Sequence, residues 1–216
     1  MIKINNRLQT ISDFIFKEDK VIDIGCDHAL LDIYLYLNKD VKKIVGSDIN
    51  QKPLDKAKDN LIKYNLQDKI ELRLGNGLEA LSNDLDTIII SGMGASSIKD
   101  ILTNINNYPH IKKLIISPNN EFIKTRKDIT KLNFKLVKEK MVCENNKYYL
   151  ISYYEKGYSK TNYFYGKLDF KDRETINYFN YLITKNKEII SKLNNKHIFK
   201  KLKLLITNLY IKTRIK

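Results

Sequence analysis

The 216-residue chain has no tryptophan, only two cysteines and three prolines, and no long apolar run. Cys26 and Cys143 are too few for a disulfide framework or a cysteine-ligated zinc site, and they fit a reducing compartment. No stretch approaches the roughly 18 consecutive apolar residues of a membrane span, and the first ten residues lack the apolar core of a signal sequence. We therefore expect a cytoplasmic protein with no membrane partner and no requirement for a metal.

Glycine is also scarce, and the stretch DIGCDHALL (residues 23–31) has only one, Gly25. A dinucleotide-binding loop would continue G-x-G-x-x-G at this corner between a strand and a helix. Here Asp27 and His28 follow instead, and a carboxylate beside a diphosphate is repulsive. The same carboxylate attracts a sulfonium or an ammonium group. The charge therefore disfavours an NAD-dependent oxidoreductase and favours S-adenosylmethionine as the cofactor.

Positive charge is distributed unevenly along the chain, whose net charge is +14. Residues 156–216 contain fifteen Lys or Arg and four Asp or Glu, a net +11, whereas residues 1–155 carry only +3. Such an asymmetry favours a polyanionic partner, because basic side chains release counterions from phosphates and steer the encounter. The alternative is a cationic tail that only increases solubility.

Short apolar runs alternate with helical patterns in the first two thirds of the chain. Five runs are typical of buried strands: KVIDIG, VKKIVGSDI, KIELRLG, DTIIISG and KKLIISP. Between the second and the third, helical periodicity places Leu54, Ala57, Leu61 and Ile62 inward. Two more strand-like runs follow, joined by Asn145 and Asn146, which are favourable residues for a hairpin turn. The pattern predicts an α/β fold with a mostly parallel, Rossmann-like sheet that ends in an antiparallel hairpin.

The strand patterns stop after Gly157, and a tyrosine-rich connector follows. From about Asp172 an apolar seam predicts a helix, with Asn186 as its polar interruption. A break at residues 194–197 precedes a second amphipathic pattern. We therefore predict two domains, residues 1–157 with the α/β sheet and residues 158–216 with a lysine-rich helical hairpin or short coiled coil.

The residues that follow each predicted strand are the candidates for a cofactor site, because ligands of open α/β sheets bind outside the carboxyl ends of strands. Asp48, which lies 23 residues after Gly25, can accept both ribose hydroxyls of an adenosine or can cap a turn. Asn76 can bind the adenine edge or act as a turn residue. The cofactor-binding candidates are Asp23, Gly25, Cys26, Asp27, Asp48, Ile49, Asn50, Asn76, Gly77, Ser91, Gly92 and Met93.

Five motifs occur in order between Arg7 and Gly157: DIGCDHALLDIYL, SDIN, SGMGASSIKDIL, ISPNNEFIKTRKDI and ENNKYYLISYYEKG. Together with the lysine-rich tail they resemble the bacterial tRNA (adenine-22-N1)-methyltransferase family, known as TrmK. Asp27 and Ala29 depart from the glycines usual in methyltransferase loops, Ala95 from a further glycine and Ser117 from glutamine. The resemblance implies a class I methyltransferase that moves a methyl group from S-adenosylmethionine to adenine N1 in the D-arm region of tRNA.

Such a reaction needs mainly positioning, because adenine N1 has a free lone pair and no proton must first be removed. The methylated adenine is positively charged, so a carboxylate beside it is favourable, and Asp27 is the leading catalytic candidate. His28 is expected to orient its neighbours or contact the substrate, or only to begin a helix. Asn119 and Asn120 are expected to bind the adenine edge.

Tyr149 is a candidate for stacking on a base, and Lys185, Lys192 and Lys200 for binding tRNA phosphates. Two other functions are compatible with the pattern. One is a non-catalytic RNA-binding protein on a methyltransferase scaffold, which the intact polar strand ends disfavour. The other is a class I methyltransferase with a small-molecule or protein substrate, which the basic tail disfavours.

Overall fold

The structure, a computed structural model, describes residues 2–215. It contains two compact units, the first ending at Lys167 and the second beginning at Leu168. The strands of the first unit are β1 (Lys20–Ile24), β2 (Lys43–Asp48), β3 (Glu71–Leu74), β4 (Thr87–Met93), β5 (Lys113–Pro118), β6 (Phe134–Glu144) and β7 (Lys147–Lys156). Its helices are α1 (Asn6–Ser12), α2 (Leu30–Lys39), α3 (Gln51–Lys63), α4 (Ala95–Leu102) and α5 (Phe122–Thr130).

The strands form one sheet in the order β3-β2-β1-β4-β5-β7-β6. Strands β1 to β5 are parallel, and β7 lies antiparallel between β5 and β6. The predicted sheet with a closing hairpin is therefore confirmed. Asn145 and Asn146 both have positive φ, 50° and 58°, as a two-residue type I′ turn requires.

Alternate residues of the central strands enter separate cores on the two faces of the sheet. In β4, Ile88 and Ile90 pack in one core, and Ile89 packs in the other. All three side chains are fully buried, and a buried isoleucine contributes about 1.5–3 kcal/mol to stability. The sheet is covered on both faces, so its polar chemistry is confined to its ends.

Helix α3 differs from the prediction at one position. Leu54, Ala57 and Leu61 are buried as expected, but Ile62 is 52% exposed. Successive residues of a helix are separated by about 100° around its axis. The inward direction set by Leu54 and Leu61 therefore leaves Ile62 at the margin of the apolar face, and its inward placement was wrong.

A buried ion pair fixes the chain after the last strand. Arg126 of α5 donates from Nε to both carboxylate oxygens of Glu139 in β6, at 2.9 and 3.2 Å. Arg126 Nη1 also donates to the carbonyl oxygens of Tyr163 and Phe164, and Glu139 accepts from the main-chain nitrogen of Lys167. This set, the Arg126–Glu139 cluster, holds residues 163–167 in the first unit.

The second unit contains α6 (Arg173–Lys192) and α7 (Ile198–Lys212), which pack against each other. The Asp172 carboxylate caps α6 by accepting from the Thr175 main-chain nitrogen at 2.8 Å. The polar interruption predicted at Asn186 is paired, because its side-chain amide donates to the buried Asn208 of α7 at 2.7 Å. Lys192 and Lys200 are exposed, and Lys185 is exposed and forms an ion pair with Glu188 at 2.9 Å.

Within residues 2–215, no helix is long and apolar enough to cross a membrane. The same part of the chain has no group of three or more His, Cys, Asp or Glu side chains that could hold a metal ion.

Candidate active site

Two adjoining cavities lie at the carboxyl ends of the parallel strands. The larger chamber, about 610 Å³, is lined by the Gly75–Glu79 segment and by one face of α4. The smaller chamber, about 420 Å³, is lined by α1, the Asp23–His28 segment and Ser91–Met93. Gly25, Asp48 and Met93 line both chambers, so they form a shared wall. The ends of β1 to β4 therefore converge on one site, as the sequence predicted, whereas the residues after β5 do not line the chambers.

The loop after β1 contains three residues with the positive φ that glycine favours, although only one of the three is a glycine. Gly25, Asp27 and Ala29 all have positive φ, 81°, 50° and 54°. The left-handed conformation costs a residue with a side chain about 1–2 kcal/mol. The main-chain nitrogens of Gly25 and Cys26 both donate to the Ser47 carbonyl, at 2.7 and 3.0 Å, and fix the loop on β2. Asp27 and Ala29 therefore take the backbone conformation that glycine favours, at two positions where methyltransferase loops usually have glycine.

A side chain at Gly25 would be strained by the positive φ and would have to displace the end of the Met93 side chain. A Cβ there would overlap Cε of Met93, and the positive φ is unfavourable for other residues. The absence of a side chain leaves the backbone of Gly25 open to both chambers. A ligand that extends from one chamber into the other must pass this point.

Asp27 and His28 lie together at the mouth of the smaller chamber. Asp27 Oδ2 is 3.5 Å from His28 Nε2, and both side chains are partly exposed, 68% and 40%. The side-chain amide of Asn60 in α3 donates to the His28 carbonyl at 2.9 Å. This bond holds the main chain at His28, just before α2 begins. Asp27 is thus a solvent-accessible carboxylate on a fixed backbone.

Asp23 is a buried carboxyl group at the inner end of the smaller chamber. Its side chain is 4% exposed, and Oδ1 has no hydrogen-bond partner among the residues that the structure describes. Burial raises the pKa of Asp23 to about 7, against the opposing charge of Arg7 and with a smaller contribution from Asp48. An unpartnered buried carboxyl oxygen is costly, and a cationic ligand group would remove that cost.

Asp32 of α2 is a second buried carboxyl group near this one. Neither of its oxygens has a hydrogen-bond partner within residues 2–215. Burial first, and the nearby Asp23 second, raise the pKa of Asp32 well above its usual range. Asp32 does not line either chamber, so its effect on the site is indirect, through the electrostatics of Asp23 and Cys26.

The other predicted residues of β1 and β2 have distinct placements. Cys26 is buried, and burial raises the pKa of its thiol far above the usual range, so it is a packing residue with a neutral side chain. Asp48 accepts from the Asn50 main-chain nitrogen at 2.9 Å through Oδ1, and its side chain lies in the shared wall. Ile49 is 59% exposed and covers the larger chamber, whereas Asn50 lines neither chamber and begins α3.

The Gly75–Glu79 segment shapes the larger chamber. The Asn76 main-chain nitrogen is bound by Glu79 Oε2 at 3.3 Å, so the turn is closed by Glu79 and the Asn76 side chain stays at the chamber wall. Gly77 has φ of 60°, and a Cβ there would lie 3.1 Å from Ile101 Cγ2. Asn76 also caps the short helix Gly77–Ala80, the turn role that the sequence left open, and contact of Asn76 or Gly77 with an adenine stays a prediction.

Asn119 and Asn120 contact the loop after β4 rather than the chambers. The Asn119 side-chain amide donates to the Gly92 carbonyl, and its main-chain nitrogen donates to the Met93 carbonyl at 2.8 Å. Asn120 Oδ1 accepts from the Ala95 main-chain nitrogen at 3.2 Å, at the start of α4. These bonds hold Ser91–Met93, which line the smaller chamber. A direct contact of either asparagine with an adenine stays a prediction.

Several lining residues were missed by the sequence reasoning. On α4 and just after it, Ser97, Asp100, Ile101 and Asn104 line the larger chamber, at a helical spacing that a periodicity search could have found. Arg7 of α1 lines the smaller chamber. Its position depends on how α1 docks, so no local pattern indicates it. Tyr149 lies beside it, half-buried, with the Arg7 guanidinium carbon 5.1 Å from the ring centroid.

Comparison with known proteins gives consistent matches. Residues 4–152 match the family model described as a methyltransferase domain. A tRNA (adenine(22)-N(1))-methyltransferase of Bacillus subtilis (strain 168) is 32% identical over 158 residues, which are 72% of this chain and 66% of that protein. The matched part of the chain thus spans just under two thirds of that relative's length.

Solved structures extend the match to the whole chain. TrmK of M. capricolum, in complex with the cofactor product S-adenosyl-homocysteine, has a TM-score of 0.83 and 29% identity, covering 98% of this chain and 97% of that one. The B. subtilis m1A22 tRNA methyltransferase TrmK has a TM-score of 0.82 and 25% identity, covering 100% of both chains. These matches confirm the resemblance that the five motifs carry.

Proposed function

This chain belongs to the methyltransferase domain family, and on that premise we propose that it transfers a methyl group from S-adenosylmethionine to N1 of adenine 22 in tRNA. The observation that carries the proposal is the pair of adjoining chambers with Gly25, Asp48 and Met93 in their shared wall. The tRNA substrate and the adenine position are taken from the names of the B. subtilis relatives.

The residues of the two chambers fit S-adenosylmethionine. Asp23, buried and with an unpartnered oxygen, is suited to the ammonium of the amino-acid part. Gly25 is open to both chambers, and Asp48, with one carboxylate oxygen free of the Asn50 bond, is suited to a ribose. Asn76 and Gly77 lie where an adenine would follow in the larger chamber. The cofactor supplies a methyl group on a sulfonium, and the chain supplies the alignment.

Asp27 has the role of stabilising the product. The adenine gains positive charge as its N1 lone pair takes the methyl group, and a carboxylate held near the ring lowers the energy of that charge. The fixed left-handed backbone of Asp27 keeps the carboxylate at the mouth of the smaller chamber. His28, 3.5 Å away, orients the Asp27 carboxylate or contacts the substrate.

Asn119 and Asn120 influence substrate binding indirectly, because they hold the loop after β4. Their bonds to the main chain of Gly92, Met93 and Ala95 fix the backbone that carries Met93 in the shared wall. A target adenine must leave its stacked position in tRNA to reach the methyl group. Met93 and the mouth at Asp27 then form the surfaces against which the extruded base is placed.

The second unit has the role of tRNA binding. Lys192 and Lys200 are exposed on helices with a strong positive excess, which suits contacts with phosphates that do not read sequence. Lys185 forms an ion pair with Glu188, so we expect it to contribute less to tRNA binding than Lys192 and Lys200. A tRNA substrate and two free cysteines, Cys26 and Cys143, fit a cytoplasmic location.

The test is methyl transfer to unmodified tRNA with methyl-labelled S-adenosylmethionine, followed by mapping of the labelled nucleotide. We expect one methyl group at N1 of adenine 22 and no transfer to a tRNA with guanosine at position 22. Binding of the cofactor without any transfer to tRNA would support the non-catalytic RNA-binding alternative. Transfer to a small molecule or protein, with none to tRNA, would support the third function.

A further inference from the structure

We propose that Asn60 of α3 is a positioning residue for methyl transfer, because its side-chain amide holds the turn that presents the Asp27 carboxylate to the substrate. The inference rests on the proposed function, in which Asp27 stabilises the positive charge of the methylated adenine. It gives a part in catalysis to a residue that lines neither chamber and belongs to none of the five motifs.

Asp27 lies in a tight turn with an unfavourable backbone conformation. The Ala29 main-chain nitrogen donates to the Cys26 carbonyl at 2.8 Å, so Asp27 and His28 are the two central residues of the turn. Asp27 and Ala29 have φ of 50° and 54°, a region that residues with a side chain seldom occupy. Such a conformation persists only where the surrounding structure holds it.

Two anchors hold the loop after β1, and they act on different parts of it. The Ser47 carbonyl accepts from the main-chain nitrogens of Gly25 and Cys26, at the shared wall. The Asn60 side-chain amide donates to the His28 carbonyl at 2.9 Å. Within residues 2–215, no other side chain hydrogen-bonds to the main chain of residues 26–29. Loss of the Asn60 amide would therefore release the turn at Asp27 and leave Gly25 anchored.

The start of α2 supplies no side-chain cap of its own. Its N-cap residue is Ala29, which has no side-chain oxygen to accept from the first turn of the helix. The Ala29 carbonyl accepts the first helical bond, from the Ile33 main-chain nitrogen at 3.0 Å. The bond from Asn60 therefore ties the uncapped start of α2, and the turn before it, to a neighbouring helix.

Asn60 is itself held firmly enough to act as an anchor. It is half-buried in the 13-residue helix α3, next to the buried Leu61 and one turn after the buried Ala57. Asparagine is unfavourable inside a helix, because its amide competes with the backbone for hydrogen bonds. Here the amide donates to a carbonyl 32 residues away in the sequence, which gives this asparagine a tertiary role.

The backbone has to place the Asp27 carboxylate, because few side-chain contacts do so. The carboxylate is 68% exposed, and its one ion-pair partner in the described part of the chain is His28 Nε2, at 3.5 Å. A charge stabilises a transition state only from a defined position, and a displacement of about 1 Å can lower a rate about 100-fold. A bond that fixes the turn is thus a bond that fixes the carboxylate.

The experiment measures kcat for methylation of unmodified tRNA, and the dissociation constants of S-adenosylhomocysteine and tRNA, on the full chain. We expect Asn60→Leu to lower kcat about 10-fold and to change both dissociation constants less than about twofold, because Ser47 still anchors the cofactor side of the loop. Asn60→Asp keeps the shape and removes the donor, so it should lose as much. Asn60→Gln keeps an amide donor and should recover part of kcat.

The Asp27→Asn background tests whether Asn60 acts through Asp27. In that background Asn60→Leu should lower kcat less than about twofold, since the charge that it positions has been removed. Asn38→Leu is the matched control. The Asn38 amide of α2 also donates to a main-chain carbonyl, that of Tyr34 at 3.1 Å, but it is exposed and lines neither chamber. The control should leave kcat unchanged.

Two results would overturn the inference and leave the proposed function standing. One is the same loss of kcat from Asn60→Leu in the presence and absence of the Asp27 carboxylate. The other is a weakening of S-adenosylhomocysteine as large as the loss of kcat. Absence of methyl transfer to tRNA by the unaltered protein would overturn the proposed function as well.

Discussion

Two places in the first unit bury charged groups, and they do so in opposite ways. In the Arg126–Glu139 cluster, the Glu139 carboxylate accepts from Arg126, from Ser152 Oγ at 2.7 Å and from the Lys167 main chain at 2.8 Å. At the carboxyl end of the sheet, Asp23 and Asp32 have carboxyl oxygens without partners among the described residues. Hydrogen bonds in the cluster offset the cost of burying its charges, whereas the unpartnered oxygen of Asp23, a lining residue of the smaller chamber, is available to a ligand. The difference indicates which of the two places is the site.

The same two places also differ in their use of glycine. Gly166, with φ of 64°, lies against the cluster, and a Cβ on it would overlap Glu139 Oε2. In the loop after β1, Asp27 and Ala29 take up positive φ without being glycines. The cluster needs glycine for space. Asp27 has a strained backbone conformation and places a carboxylate in the loop, and backbone strain of this kind is often found at functional sites.

The largest effect is expected from breaking the cluster. Arg126→Met leaves the Glu139 carboxylate buried without its counter-charge, which should lower the free energy of unfolding by about 3–5 kcal/mol. Urea denaturation measures it, and the double variant Arg126→Met/Glu139→Met should recover part of the loss. Asp40→Asn, which removes the exposed pair with Lys17, is the control and should change stability little. A small effect of Arg126→Met would show that the cluster is not saturated as described.

Next in size is the effect of Asp27→Asn on turnover. Asparagine tolerates the left-handed backbone, so the variant removes the charge and keeps the loop. We expect kcat for tRNA methylation to fall about 100-fold, comparable to the loss of one transition-state hydrogen bond, with the dissociation constants of cofactor and tRNA within a few-fold. Deletion of residues 168–216, which spares the cluster, should instead weaken tRNA binding. If the deletion left tRNA affinity intact, the role of the second unit would be wrong.

Asp23→Asn distinguishes a ligand-binding carboxyl group from a structural one, because it should weaken cofactor binding without lowering stability. Loss of the carboxylate should weaken S-adenosylhomocysteine about 10- to 100-fold, as expected for a charged hydrogen bond. The free energy of unfolding should stay equal or rise, because a buried ionisable group is removed. Calorimetry and urea denaturation on one preparation check both. A loss of stability like that of Arg126→Met would mean that Asp23 is structural.

The smallest effect is a pH dependence of cofactor affinity. The pKa of Asp23 is raised to about 7, so in the free protein the group holds its proton below that pH and is ionised above it. An ammonium ligand favours the ionised form. Affinity for S-adenosylhomocysteine should therefore rise with pH from 6 to 8, by at most about tenfold per unit below the pKa. In Asp23→Asn the dependence should disappear. Its persistence would show that Asp23 is not the group responsible.

Periodicity and turn chemistry predicted most of the fold, because they are local. The seven strands, the Asn145–Asn146 turn and the convergence of Gly25, Asp48 and Met93 all follow from runs of a few residues and from the rule for strand ends. Arg7 and the Arg126–Glu139 cluster were not predicted. Each is assembled by segments that are distant in the sequence, Arg7 with Glu144 and Arg126 with residues 163–167. No spacing along the chain encodes such contacts.

The hydrogen bonds of Asn119 and Asn120 show a second limit of prediction from the sequence. Their position after β5 indicated a role at the site, but an amide can serve a ligand or a neighbouring backbone equally well. Only the three-dimensional structure shows that both side chains bind the loop after β4. Residue type and position predicted where these asparagines lie and left their partners undetermined.

A crystal structure with S-adenosylhomocysteine tests most directly whether the unsaturated end of the sheet is the cofactor site. The result predicted is a ligand across the shared wall, with its ammonium within hydrogen-bond distance of Asp23 and its adenine beside Asn76. A ligand in the reverse orientation, or one bound elsewhere while Asp23 stays without a partner, would contradict it.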